Sequence, residues 1–305
     1  MTVYQWSVEF LLPGVPLSRP LTLGSIALRP MPRDENSASR SVGCLQLETG
    51  QHLDERAVAA QALSQVELLA MAAAALGGSV RQPVVTSIRL DNRHELDAAG
   101  MRTPIENGRI LMTWNVISPD IDETALTRGY QRAIALQSNV LPLWLRVARW
   151  LWKGNSDADP YDEFLALWIS FNVLYGPFVQ KSERLGIEAY LAQALPTEPD
   201  AEALLREVIP GDICTLGASG LPLRTPKGPR PIANELQAAL GLPAAQQSRR
   251  GLVTLAFLVI YAVRCAIVHE GGVALPQDSE LRIVSASIHV LKSAIMHLLR
   301  NLLGV

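Results

Sequence analysis

The chain has 305 residues, 49% of them hydrophobic and 18% charged, with a formal net charge of −2. This length exceeds one ordinary domain and fits two, and the composition is that of a packed globular chain, which excludes a disordered one. With charges nearly balanced there is no global basic field to draw nucleic acid or a membrane, so any polyanion site has to be local.

The opening "MTVYQWSVEFLLPG" has no basic leader and no long apolar core, which is unlike a signal peptide. Up to about residue 119 the pattern is α+β. "YQWSVEFLL", "GSIALRP", "VGCLQLE", "PVVTSIRL" and "RILMTWNVI" are short runs rich in Val, Ile and Thr, punctuated by Pro and Gly, and they predict strands. "RPMPRDENSASR" predicts a surface loop. One helix is predicted over 54–76, with Asp54 as its N-cap and Gly77-Gly78 as its stop. His52 and His94 fall among charged residues in predicted loops and read as surface histidines.

From 120 to 305 the pattern turns helical, and the expected domain boundary lies at 119/120. "DETALTRGYQRAIALQSNVLPLWLRVARWLWKG" predicts one long helix kinked at Pro142, or two abutting ones. "DPYDEFLALWISFNVLYG" predicts a helix capped by Asp159, opened by Pro160 and ended by Gly176-Pro177. Its apolar stripe is Phe164, Leu167, Trp168, Phe171, Leu174 and Tyr175. Shorter helices are expected over 182–195 and 201–208, and a loop-rich passage over 210–231. A strongly apolar helix follows over 247–269, then a last helix over 278–303. Val284, Ile288, Leu291, Ile295, Leu298 and Leu302 give that last helix a heptad-like seam, suited to a bundle or to a second copy.

Cys44, Cys214 and Cys265 are far apart and in no CxxC arrangement, as expected of reduced thiols in a cytoplasmic protein. The apolar run "GLVTLAFLVIYAV" is about 13 residues long before Arg264, against the roughly 20 of a spanning helix, so a buried soluble helix is expected. "VHEGG" starts like a zinc-protease motif, but Val273 stands where HExxH needs its second histidine. "TLGASGLP" lacks the strand, helix and GK[ST] of a phosphate loop, and no G-x-S-x-G elbow is present. The four carboxylates of "SDADPYDE" suit a helix N-terminus better than a metal.

What needs explaining is "YAVRCAIVHEGG". Arg264 lies in a helix that is apolar nearly all round, and burying an unpaired guanidinium costs several kcal/mol. His269 follows at i+5, about 140° round and about 7.5 Å along an ideal helix, so one helix does not stack the two. A long arginine at a helix end can still bracket a common ligand with the histidine. Pairing of Arg264 with a neighbouring carboxylate, with His269 as a mere C-terminal residue, is the plainer alternative.

Arg264-Cys-Ala-Ile-Val-His269 is an R-x4-H motif. Together with "RWLWKGNSDADPYDEFLALWISFNVLYG" before it and an amphipathic helix after it, it resembles the Apea-like branch of the HEPN superfamily. The resemblance covers about 121–305. It implies a helical bundle that dimerises, often with the two R-x4-H helices facing each other, and in many members a metal-independent endoribonuclease. Carried onto this chain, His269 acts in proton transfer at the ribose 2′-hydroxyl and the leaving 5′-oxygen, and Arg264 stabilises the scissile phosphate, with no metal or cofactor. RNA, a second copy of the chain and an antitoxin-like or regulatory protein are the partners implied. A cytoplasmic location, no membrane, and a defence or toxin-antitoxin setting complete the expectation.

Active members commonly carry a polar residue directly after the arginine, where this chain has Cys265. The alternative implied is a catalytically inactive RNA-binding or protein-interaction module. Asn172, on the apolar stripe, and Glu270 are supporting candidates, Asn172 because a buried amide needs a partner. Arg224, Lys227 and Arg230 in "LPLRTPKGPRP", with Arg249 and Arg250, are the candidate phosphate contacts. Trp144, Trp150, Trp152 and Trp168 fall at helical spacing and are expected in the core.

Overall fold

Strand β1 (Tyr4–Pro13) is the spine of an antiparallel sheet. It pairs over its whole length with β4 (Arg40–Thr49), from Tyr4 opposite Thr49 to Pro13 opposite Arg40. On its other side lies β5 (Val84–Leu90), with an irregularity in register at Glu9/Phe10. With β2 (Leu21–Leu23), β3 (Ile26–Pro30) and β6 (Thr103–Pro104), the sheet order is β2-β3-β4-β1-β5-β6. The computed structural model describes residues 4–31, 40–77, 80–90, 103–104, 121–270 and 277–305. The predicted strand "RILMTWNVI", the predicted loop around 32–39 and His94 lie outside those residues.

Contacts divide the chain into two compact units, Met1–Leu145 with Leu299–Val305, and Arg146–Leu298. In the first unit, helix α1 (Glu55–Leu76) packs on β1, on β5 and on α2 (Glu123–Ile134). Asp54 caps α1 by accepting the Ala57 amide at 2.7 Å. Its last turns are a run of buried alanines, Ala72 to Ala75, which lets α2 come close. Gly129 of α2 meets Ala72 there: a β-carbon on Gly129 would lie 3.3 Å from that of Ala72. Arg300 closes the other end by donating to the carbonyl of Ala75 at 2.9 Å, so one orphan helix carbonyl is satisfied.

The second unit is helical. It holds most of α3 (Leu141–Gly154), then α4 (Pro160–Tyr175), a 3-10 turn (Gly176–Phe178), α5 (Glu183–Ala194), α6 (Glu198–Glu207) and α7 (Pro210–Ala218). A small hairpin follows, β7 (Leu223–Thr225) with β8 (Gly228–Arg230), then α8 (Ile232–Leu240), α9 (Arg249–Glu270) and α10 (Gln277–Leu303). An N-terminal antiparallel sheet region thus precedes a helical region, which is the α+β-then-helical order expected of the sequence.

Two expectations are corrected. The helix pair broken near Pro142 separates earlier, at Ala135–Val140, and Pro142 sits in the first turn of α3, where a missing amide hydrogen leaves no bond unmade. The passage 210–231 is not simply loop: it forms α7 and the β7–β8 hairpin. Pro210 and Gly211 look like loop residues, yet Pro is favoured in a first helical turn. Gly217 then brings α7 against α8, where a β-carbon would lie 3.3 Å from the Gln237 backbone.

Helices α5, α6, α7 and α8 and strand β7 all pack on α9. A helix with neighbours on so many sides has little surface to give to solvent, and this accounts for its composition. Leu252, Ala256, Phe257, Leu258, Val259, Ile260 and Val263 are all buried. Each large one removed from water contributes about 1.5–3 kcal/mol. By length and composition α1, α9 and α10 are each long and apolar enough to cross a membrane, with mean hydropathies of 1.4, 2.3 and 1.2 in their most apolar windows. Between 56% and 61% of those windows is buried within the protein.

Candidate functional site

The last turns of α9 carry Arg264 and His269. Their side chains meet: Nη1 of Arg264 lies 3.3 Å from Nε2 of His269. On an ideal helix the two residues project about 140° apart. The guanidinium, however, is on a stem long enough to reach round the helix. A guanidinium can only donate, so Nε2 accepts, and the ring proton of this arrangement is on Nδ1. The imidazole therefore presents a lone pair toward a fixed cation.

Glu183, the first residue of α5, faces Arg264 from across the bundle. Its carboxylate lies 3.8 Å from the guanidinium, at the outer limit of an ion pair. The position of Glu183 is set locally: Ser182 caps α5 by accepting the Leu185 amide at 3.3 Å, and an acid in a first helical turn is favoured by the helix dipole. Arg264 keeps 21% of its side chain exposed and Glu183 30%, so the pair is half-open rather than sealed in the core.

Two tyrosines converge on the same carboxylate. Tyr175, the last residue of α4, donates its hydroxyl to Glu183 at 3.4 Å. Tyr261, one turn before Cys265 on α9, lies close enough to both Cys265 and Glu183 to be influenced by them. Burial, reinforced by the charge of Glu183 and opposed by Arg264, pushes the Tyr175 hydroxyl far above the ordinary tyrosine range. Burial does the same to Tyr261, with the neighbouring Cys265 and Glu183 adding to it. Both tyrosines are therefore neutral hydroxyls at neutral pH.

Behind them is an aromatic wall. Trp168 stacks on Tyr261 with ring centroids 5.9 Å apart and planes at 21°, and Phe171 sits 4.6 Å from Phe257. Trp152 and Trp168 are buried, while Trp144 and Trp150 are half-buried. The wall fixes the tyrosines, the tyrosines fix Glu183, and Glu183 limits where the Arg264 guanidinium can swing.

Other candidates are placed differently. Asn172 is half-buried on α4, and among the described residues no hydrogen bond joins its side chain to Arg264. Glu270 closes α9, and its side chain lies outside the described residues. Arg224 and Lys227 are exposed on the β7–β8 hairpin. Arg230 is held by Glu235 through two hydrogen bonds of 2.8 and 2.5 Å. Arg249 is held by Glu202 at 2.7 Å and Gln247 at 2.6 Å. Arg230 and Arg250 line one cavity, and Arg264 is not part of its lining.

Glu183, Tyr175 and Tyr261 were not legible as site residues. Glu183 sits in "SERLG", which reads as an ordinary helix start, and Tyr175 reads as an apolar-stripe position. Only the folding of α4 and α5 against α9 brings them to Arg264. Comparison of the chain with protein-family models, with characterised proteins and with solved structures finds no match, so this arrangement of residues is what a functional reading has to start from.

Proposed function

We propose that the helical part of this chain is a HEPN-type, metal-independent endoribonuclease. The supporting observation is the 3.3 Å contact between Arg264 and His269 at the half-open end of a buried helix. A phosphate that draws the Arg264 guanidinium onto its own oxygens releases the Nε2 lone pair, and the imidazole can then take a proton beside a permanent cation. In the reaction, the ribose 2′-oxygen forms a bond to phosphorus as its proton passes to an imidazole. The bond from phosphorus to the 5′-oxygen breaks, that oxygen takes up a proton, and a 2′,3′-cyclic phosphate remains. Arg264 offsets the charge that gathers on the phosphoryl oxygens. Two copies of the chain facing each other supply one imidazole as base and another as acid, which is the reason for reading the protein as a homodimer. On this reading the protein is cytoplasmic, RNA is its substrate, and an antitoxin-like or regulatory protein is a natural partner.

A second reading is a catalytically silent RNA-binding or interaction module. It is favoured by Glu183, which competes with phosphate for Arg264, and by Cys265 in the position after the arginine. The test is incubation of single-stranded RNA with the purified chain in EDTA, beside Arg264→Ala and His269→Ala. The nuclease reading expects cleavage by the parent chain and a loss of at least about 100-fold in each variant. Equal cleavage by all three, or none by any, overturns it, and RNA retention without cleavage selects the silent module.

A further inference from the structure

A cavity of about 420 Å³ lies between α5 and the first turns of α9. Its size falls in the range of small-molecule sites, roughly 300–1,000 Å³. Leu191 of α5, Leu195 just after it, and Leu255 and Leu258 of α9 give it an apolar lining. Its polar edge carries Arg230, Arg250, Glu188 and Glu198. Three of these four are committed to protein groups. Arg230 is doubly bonded to Glu235. Glu188 pairs with Arg184 at 3.0 Å. Glu198 accepts from the Ser248 hydroxyl at 2.9 Å and from the Arg249 and Arg250 amides at 2.6 and 3.3 Å.

Arg250 differs. Its guanidinium makes no ion pair or hydrogen bond among the described residues, although it is half-buried and its charge reaches Glu198. One turn along the same face of α9 is Thr254, half-buried, whose hydroxyl likewise has no partner among the described residues, and one turn further is Leu258. Arg250, Thr254 and Leu258 form an i, i+4, i+8 row that passes from cation to hydroxyl to aliphatic over about 12 Å.

We infer that this cavity binds a small amphiphilic monoanion, a carboxylate with an aliphatic body, its head on Arg250 and Thr254 and its tail along Leu258, Leu191 and Leu195. The lining itself sets the class. Arg250, the lining cation without a side-chain hydrogen bond or ion pair among the described residues, matches one negative charge. Glu188 and Glu198 at the edge repel a di- or triphosphate. None of the described lining residues is aromatic, so a nucleobase finds nothing to stack on. The inference does not rest on the nuclease reading, because the cavity is lined by none of Arg264, His269 or Glu183.

The experiment is calorimetric titration of the full chain with decanoate, below its micelle concentration, in parallel with decanol and adenosine monophosphate. The expected result is one decanoate per chain, with decanol at least about tenfold weaker and no competition from the nucleotide. Arg250→Gln weakens decanoate at least about tenfold, Arg250→Lys restores part of it, and Lys153→Gln on α3 changes nothing. Ala192→Phe, which fills the cavity from α5, abolishes binding, and a melting temperature equal to the parent's shows that it folds. No decanoate binding, decanoate bound equally by Arg250→Gln, several molecules per chain, or a nucleotide that outcompetes decanoate overturns the inference.

Discussion

At the scale of single residues, Glu183 decides how Arg264 is presented. Replacing it with Gln removes the charge 3.8 Å from the guanidinium and keeps an acceptor for the Tyr175 hydroxyl. On the nuclease account, Glu183→Gln frees Arg264 for phosphate. It lowers the Kd for a non-cleavable RNA severalfold, and a filter-binding series with salt checks this. The tyrosines give a separate, alkaline signature. Tyr175, Tyr190 and Tyr261 are all held above the ordinary range by burial first. Their folded forms keep the proton that the unfolded chain loses near pH 10. The unfolded state thus binds fewer protons there, and stability, full below about pH 10, falls as the pH rises beyond it. Ultraviolet titration is expected to show these hydroxyls ionising together with unfolding, not before it. Gly43 is a purely structural case: it stands opposite Phe10, whose ring would lie 2.1 Å from any β-carbon placed there. Gly43→Ala is expected to lower stability by about 1–3 kcal/mol, as overpacking does, which chemical denaturation measures.

At the scale of elements, much of the fold could be read from local chemistry. Asp54 and Asp159 mark the starts of α1 and α4 because each accepts backbone amides that have no other partner. Asp159→Ala is expected to cost about 1 kcal/mol in the same denaturation experiment. Elements whose reasons are tertiary could not be read. α7 begins with Pro-Gly and is only nine residues long, so its helicity depends on packing against α8 and α9. The start of α9 has no side-chain cap of its own beyond Ser248; Glu198, from α6, caps it across the bundle. The site behaves in the same way. Arg264 and His269 were visible as misplaced polar residues on an apolar helix. The length of the arginine left room for the two to come together at the helix end, while the Glu183 cluster was hidden by its separation along the chain.

At the scale of the whole molecule, three long apolar helices raise the question of the membrane. Each is about three-fifths buried by protein or slightly less over its most apolar window, and α9 is surrounded by α5 to α8. The account therefore expects the expressed chain in the supernatant after high-speed centrifugation without detergent; recovery in the membrane pellet, released by detergent but not by salt, contradicts it. Folding unites the chemistry: helices α4, α5 and α9 carry an imidazole, a guanidinium, a carboxylate and two hydroxyls to one place. The claim that this place cleaves RNA without metal is tested most directly by the ends of the products. After incubation of a defined single-stranded RNA with the purified chain in EDTA, mass spectrometry is expected to show a 2′,3′-cyclic phosphate on one fragment and a 5′-hydroxyl on the other, both absent with His269→Ala. Intact RNA, or fragments ending in a 3′-hydroxyl and a 5′-phosphate, contradicts the account.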